Sequence, residues 1–483
     1  MHGSSLRLAV DLVPEGILLV GALLLGAMAL SRSARPRSAQ VLTALTLVVA
    51  ASVQLVYLNG MPAAGYRVYS DGLVVDRYTV FLVPVMCVLA LVSVAASGPL
   101  LARIATHVAE YHALILLTVL GGALLVAARE MAALWMALEL LSLCLVLLVG
   151  VVKTDRRGSE AAVKQLVVGG AASATLLYGF ALLYGAGGST VLVDVALQVG
   201  HATAASALGM ALAVGAMLIK LGAVPFHQWV PDTTRGAPPA VTVLALGVGG
   251  TAVAGSLARL AVTTFPFEVG NWTALVALVA ALTMLYASVA ALSEGSLRRL
   301  LGLLAIGQVG VLLLGLLGHD PDQKGIAALM FGLATGGVTV AGMFAVLALL
   351  DGSVGDSLDD CRGLSRRSPL AALMLGVGVV SLVGAPPLIG FFAKLFLLQS
   401  AVLAGYAWLV LVALVTSVIG AVPAARLLRL MFVEDTEGDI APAASAASAV
   451  RVAVGLCAGA TVLLGVLAQP LFNLASGGAG TVH

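Results

Sequence analysis

Apolar runs close to the length of a bilayer crossing recur from one end of this 483-residue sequence to the other, separated by short polar breaks. A run of roughly twenty apolar residues crosses the hydrocarbon core as an α-helix, because a helix satisfies its backbone polar groups within the segment. The runs predict helices near 13–30, 39–58, 78–97, 112–128, 131–152, 161–184, 204–224, 240–262, 272–292, 298–317, 325–350, 370–398, 404–432 and 450–472. No stretch is left for a separate soluble domain. Composition agrees, with 61% hydrophobic and 10% charged residues, against roughly 25% charged in soluble domains. The expected fold class is therefore an all-α integral membrane protein of about fourteen transmembrane helices.

The lipid bilayer is the first partner this implies. Net charge is only +2 and the charges are spread over loops without a basic face, which argues against nucleic acid. Cys87, Cys144, Cys361 and Cys457 are far apart and form no C-x-x-C pair, so they read as core residues and not as metal ligands. The first run, Pro14 to Leu30, is followed by no convincing cleavage site and is expected to remain as a helix.

Cytoplasmic loops carry an excess of Lys and Arg. Sorted into alternate loops, one set holds sixteen: Arg32, Arg35, Arg37, Arg103, Lys153, Arg156, Arg157, Arg235, Arg298, Arg299, Arg362, Arg366, Arg367, Arg426, Arg429 and Arg451. The other set holds six: Arg7, Arg67, Arg77, Arg129, Arg259 and Lys324. The split predicts a multi-pass protein of the cell inner (plasma) membrane with both termini on the outer side.

Three lysines fit neither set. Lys164, Lys220 and Lys394 fall inside apolar runs, as does Glu139 in LWMALELLSLCLVLL. A charge in mid-membrane costs at least about 2.5–3.5 kcal/mol on insertion scales, so such residues point to a partner, a watery cavity or an ion pathway. Snorkelling is the plain alternative, strongest for Lys164 near its helix start and weakest for Glu139, whose stem is short.

Lys220 and Lys394 each lie beside a helix break. Lys220 precedes Gly222 and Pro225 in MLIKLGAVPFHQWVPD, and Lys394 follows Gly384, Pro386, Pro387 and Gly390 in LVGAPPLIGFFAKLF. Proline removes a backbone donor, which a membrane tolerates only where other groups or water satisfy the freed carbonyls. Charged broken helices in both halves of a chain suggest a transporter built from repeats. Lysine suits such a role, since burial favours its neutral form and a neighbouring carboxylate restores the charge; arginine stays charged.

Weaker candidates are His227 and Asp232 in FHQWVPDTTRGAPP, where a polar residue also serves simply to cap or meet water, and Gln308, alone in a nonpolar helix. GVGGTAVAG from Gly247 loosely matches a nucleotide fingerprint but lies within an apolar span with no preceding strand, which favours helix packing.

Several segments resemble the antiporter-type subunits of respiratory NADH:quinone oxidoreductase, complex I, and among them most resemble subunit N. They are WMALELLSLCLVLLVG, SEAAVKQLVVGGAASATLLYGFALLYGAGG, IKLGAVPFHQWVPDTTRGAPPAVT, LRRLLGLLAIGQVG, DDCRGLSRRSPL and SLVGAPPLIGFFAKLFLLQSAV, in family order from about residue 110 to 433. VPFHQWVPDTTRGAPPAVT is the segment that separates subunit N from its larger relatives, and the chain ends after helix 14 without their long lateral helix.

The resemblance implies two inverted five-helix repeats with broken helices 7 and 12. Residues 1–110 would hold helices 1–3, 111–262 the first repeat (helices 4–8), 263–433 the second (helices 9–13) and 434–483 helix 14. It implies a proton relay through Glu139, Lys164, Lys220 and Lys394, with His227 and Gln308 as lesser members. It also implies no cofactor in this chain: NADH, flavin, iron-sulfur clusters and quinone would belong to partner subunits, and other membrane-arm subunits would be its neighbours. The sequence departs from the family at helix 8, where a usual lysine is replaced near Gly250, and after Arg299, where Leu303, Leu304, Ala305 and Gly307 stand in place of more polar residues. Two further readings follow, a non-pumping scaffold of the membrane arm and a subunit of a multisubunit cation/proton antiporter.

Overall fold

A computed structural model describes residues 12–31, 36–58, 61–62, 65–69, 71–104, 107–198, 203–265, 269–318, 323–351, 355–434 and 448–482. Three of the sorted arginines, Arg7, Arg32 and Arg35, lie outside the described residues, as does part of the stretch assigned to residues 434–483.

Among the described residues the chain is helical apart from one small antiparallel hairpin, β1 (Tyr66–Val68) and β2 (Leu73–Val75). Twelve helices are long and apolar enough to cross a membrane, and three shorter apolar helices, Ala204–Lys220, Pro369–Val383 and Ile389–Leu403, stand among them. This is the architecture of a multi-pass integral membrane protein. Hydroxyl and carboxylate caps set several helix starts. Asp76 and Thr79 form a reciprocal capping box before Arg77–Ala96, Thr203 and Ser206 form another before Ala204–Lys220, and Asp155 receives Arg157 and Gly158 at the start of Arg156–Gly187.

The bundle is organised around Pro239–Thr264 and Lys324–Leu349, which are almost wholly buried. Peripheral helices instead turn large apolar side chains outward, including Leu23, Val41, Leu411, Val418, Leu456 and Leu463. Outward leucine and valine are what lipid requires, since hydrocarbon solvates them as well as a protein core does. The four cysteines are buried and free, in keeping with a core role.

Two helix breaks position the polar site. Ala204–Lys220 ends at Gly222, which takes φ +72°, with the Ala223 amide donating to the Leu218 carbonyl and the Gly222 amide to Ile219. Pro369–Val383 ends in the same way at Gly384, φ +93°, with Ala385 donating to Val380 and Gly384 to Ser381. Both are Schellman caps, in which glycine supplies the left-handed residue that closes the last turn. Trp229–Gly236 follows the first break and Ile389–Leu403 the second.

Arg259 departs from its loop assignment. It lies inside Gly250–Thr264, 1% exposed, and holds Asp76 through both carboxylate oxygens at 2.9 Å. Its Nε donates to the Val126 carbonyl, and its guanidinium lies 5.0 Å from the Tyr78 ring centre. Sorting by sequence treats a span-end arginine as a loop residue because its carboxylate partner lies 183 residues away. Arg103, Arg156, Arg157, Arg235 and Arg298, all from the larger set, surround one shared basin and so occupy the same end of the bundle.

Candidate functional site

Glu139 sits near the middle of Met131–Val149, an otherwise apolar helix, with Ser142 one turn further along the same face. Lys220 is the last residue of Ala204–Lys220. Its ammonium lies 3.5 Å from the Glu139 carboxylate and donates to Ser142 Oγ at 2.8 Å. Glu139 also accepts a hydrogen bond from Ser173 on Arg156–Gly187, and Ser173 in turn accepts from Trp135 Nε1 at 3.0 Å. The Lys220 side chain is 7% exposed and that of Glu139 23%. A pair so placed survives away from water because each charge has a further hydrogen-bonding partner.

The cap behind Lys220 is held from the next segment. Trp229 Nε1 donates to the Ile219 carbonyl at 3.1 Å, a second donor beside the Gly222 amide, so the cap is pinned from the following segment as well as closed by its own backbone. His227 lies between Ala204–Lys220 and Trp229–Gly236, buried, with its ring centre 4.0 Å from that of Tyr286. The structure does not bring His227 into contact with the Glu139–Lys220 pair.

Lys164 occupies a different environment from the one its apolar run implies. Its ammonium bridges Glu160 at 2.7 Å and Asp232 at 3.0 Å, and the side chain is 45% exposed in the chain taken alone. Asp232 belongs to Trp229–Gly236, so this bridge ties Arg156–Gly187 to the segment that follows the first break.

Lys394, on Ile389–Leu403, reaches back across the second break. It donates to the Val383 carbonyl at 2.8 Å and to Ser417 Oγ at 3.0 Å. Val383 is the last residue of its helix, so an ammonium closes an open carbonyl there, much as cations favour any helix C-terminus. No carboxylate lies within ion-pair distance of Lys394 among the described residues.

Three adjoining cavities lie between Lys220 and Lys394. Ser142, Gln165, Gly169 and Lys220 line the first. Lys220, Gly250, Thr251 and Gln308 line the second, and Gln308, Ser288, Lys394 and Ser417 the third. Lys220 is thus shared by the first two and Gln308 by the last two. Gly250 follows a π-helical turn, Leu244–Gly249, and a Cβ added there would meet no atom within 4 Å. Such turns interrupt regular helices most often at functional positions.

The sequence singled out the charges but missed their hydroxyl partners, Ser142, Ser173 and Ser417. Only Ser142 carried a signal, its i+3 spacing from Glu139.

Fold and site together define a multi-pass integral membrane protein that keeps a carboxylate–lysine pair within its helical bundle, with that lysine and a second one lining adjoining cavities. The chain belongs to the NADH:quinone oxidoreductase/Mrp antiporter transmembrane family, whose model matches residues 128–420. It is 36% identical over 449 residues to NADH-quinone oxidoreductase subunit N 2 of Acidobacterium capsulatum, covering 87% of this chain and 89% of that protein. It is 35% identical over 377 residues to subunit N of Thiobacillus denitrificans, covering 77% of each. Among solved structures it is similar to a chain of respiratory complex I from Thermus thermophilus, with 29% identity, a TM-score of 0.81, and coverage of 96% of this chain and 99% of that one.

Proposed function

We propose that this chain is a proton-translocating membrane-arm subunit of a complex I-type NADH:quinone oxidoreductase. The Glu139–Lys220 pair carries the reading: an acid and a base 3.5 Å apart, inside an apolar bundle, at the head of a row of cavities reaching Lys394. A change in the distance between them alters how readily Lys220 keeps its proton, which turns a conformational change into proton uptake or release. Lys164, with Asp232, is assigned to the outer end of this relay, and Lys394 to the far end. His227 and Gln308 take supporting parts.

In this reading the redox chemistry, with NADH, flavin, iron-sulfur clusters and quinone, belongs to partner subunits, and the chain's neighbours are other membrane-arm subunits. Ala204–Lys220 with Trp229–Gly236 form one broken span, helix 7, and Pro369–Val383 with Ile389–Leu403 form another, helix 12. The shared glycine caps at Gly222 and Gly384 support a pair of inverted repeats, 111–262 and 263–433, flanked by 1–110 and 434–483. The common basin of five arginines supports a cytoplasmic position for that end of the bundle, hence termini on the outer side.

The test is Lys220→Ala in the assembled complex in inverted membrane vesicles. Protons moved per electron delivered to quinone should fall while quinone reduction continues, and an unchanged ratio would overturn the proposal. The scaffold reading is favoured by one observation, the absence of an ionisable side chain at Gly250, and the same experiment decides it.

A further inference from the structure

Gln308 is placed where no charged residue stands. It projects from Leu297–Leu312 and borders both the cavity that contains Lys220 and the cavity that contains Lys394. It is 8% exposed, and among the described residues its amide has no hydrogen-bonding partner. Its amide nitrogen and oxygen are not sealed in protein but open onto the cavities, where ordered water satisfies them if space and a second polar group allow. Both conditions hold here. Thr251 and Lys220 share one cavity with it, and Ser288, Ser417 and Lys394 share the other. The space itself comes from missing side chains, since Gly250 faces open volume and Gly336 lies so close that a Cβ would stand 3.1 Å from Gln308 Nε2.

We propose that Gln308 is a positioning residue that anchors water between the two cavities, so that the proton crosses the centre of the bundle on water and not on an ionisable side chain. The proposal rests on the proton-translocating reading above. An amide does not hold the proton itself at neutral pH, but its carbonyl accepts from one water and its NH₂ group donates to another. The step then balances simply. The Lys220 ammonium gives up one proton to the water chain, the chain passes one on by hydrogen-bond exchange, and a neutral Lys394 amine takes it up. Much of the surrounding wall, including Leu246, Ile306, Val309 and Leu312, is apolar. Water there depends on its few polar anchors, and loss of one favours drying, as at the hydrophobic constrictions of channels.

The experiment uses the assembled complex in inverted vesicles and compares Gln308→Met, Gly250→Leu and Lys220→Ala for protons moved per electron. Methionine keeps the length and flexibility of glutamine without its amide. Leucine at position 250 adds apolar bulk to the same cavity, at a position where a Cβ meets no atom within 4 Å. Both variants should lower the ratio to the Lys220→Ala level while quinone reduction persists. Adding Gly250→Lys to Gln308→Met should restore the ratio in part, an effect that a merely structural glutamine would not produce. If Lys220→Ala lowers the ratio but Gln308→Met and Gly250→Leu do not, the inference is overturned and the broader reading stands. If Lys220→Ala has no effect, both fail. Should Gln308→Met not assemble, Gly250→Leu decides the matter alone.

Discussion

Asp76 and Arg259 form a two-point ion pair at 2.9 Å, each side chain 1% exposed, that joins the start of Arg77–Ala96 to the interior of Gly250–Thr264. The Asp76 carboxylate also caps its own helix by accepting from the Thr79 amide at 2.9 Å. One side chain therefore fixes a helix start and neutralises a buried guanidinium at once. This pair serves cohesion and stands apart from the cavities that hold Lys220 and Lys394.

That assignment predicts an asymmetric mutational response. Asp76→Asn leaves Arg259 charged and without its carboxylate, and breaking a buried pair from one side costs about 3–5 kcal/mol. Asp76→Leu combined with Arg259→Met removes both charges and should lose markedly less. Thermal unfolding of the purified subunit or complex in detergent checks the ranking. A double variant less stable than Asp76→Asn would refute it.

The Glu139 site makes a second prediction. Glu139→Gln keeps the side chain's size and its contact from Ser173 but removes the charge facing Lys220. Ser173→Ala keeps the charge and removes one of its donors. Proton yield per electron should fall fully in the first variant and only partly in the second, because a charge-assisted hydrogen bond contributes roughly 1.5–3 kcal/mol while the charge pairing itself remains. Equal loss in both would show that the hydroxyl network, not the charge, governs transfer.

What the sequence made legible follows from what hydropathy measures. An isolated charge in an apolar run stands out residue by residue, so Glu139, Lys220 and Lys394 were visible, and the ends of their neighbouring helices were visible from Gly222, Pro225, Gly384 and Pro387. Partners were not, because Ser173 and Ser417 resemble any other hydroxyl in a membrane helix until the fold places them against a carboxylate or an ammonium. Lys164 looked like a buried charge because its run is apolar, yet Glu160 precedes it by four residues and Asp232 reaches it from another helix. Arg259 looked like a loop charge for the converse reason, since its partner is far away in sequence. The gap at helix 8 was legible as the absent charge at Gly250, but only the fold shows the volume left there and the amide that borders it.

The last prediction concerns the glycine beside Lys394. Gly384 takes φ +93°, and a Cβ there would stand 2.9 Å from Lys394 Cδ. Gly384→Ala therefore meets two penalties, about 1–2 kcal/mol for a left-handed residue and a displacement of the lysine stem. The stem is what carries the ammonium to the Val383 carbonyl and Ser417 Oγ. The variant should lower both thermal stability and proton yield. Gly420→Ala is the control: Gly420 lies within Ala407–Phe432, a Cβ there meets nothing within 4 Å, and alanine is the better helix former. It borders the same cavity as Lys394, so a glycine effect due merely to general perturbation of that cavity would appear in both variants. A loss confined to Gly384→Ala ties the effect to the glycine cap that aims Lys394.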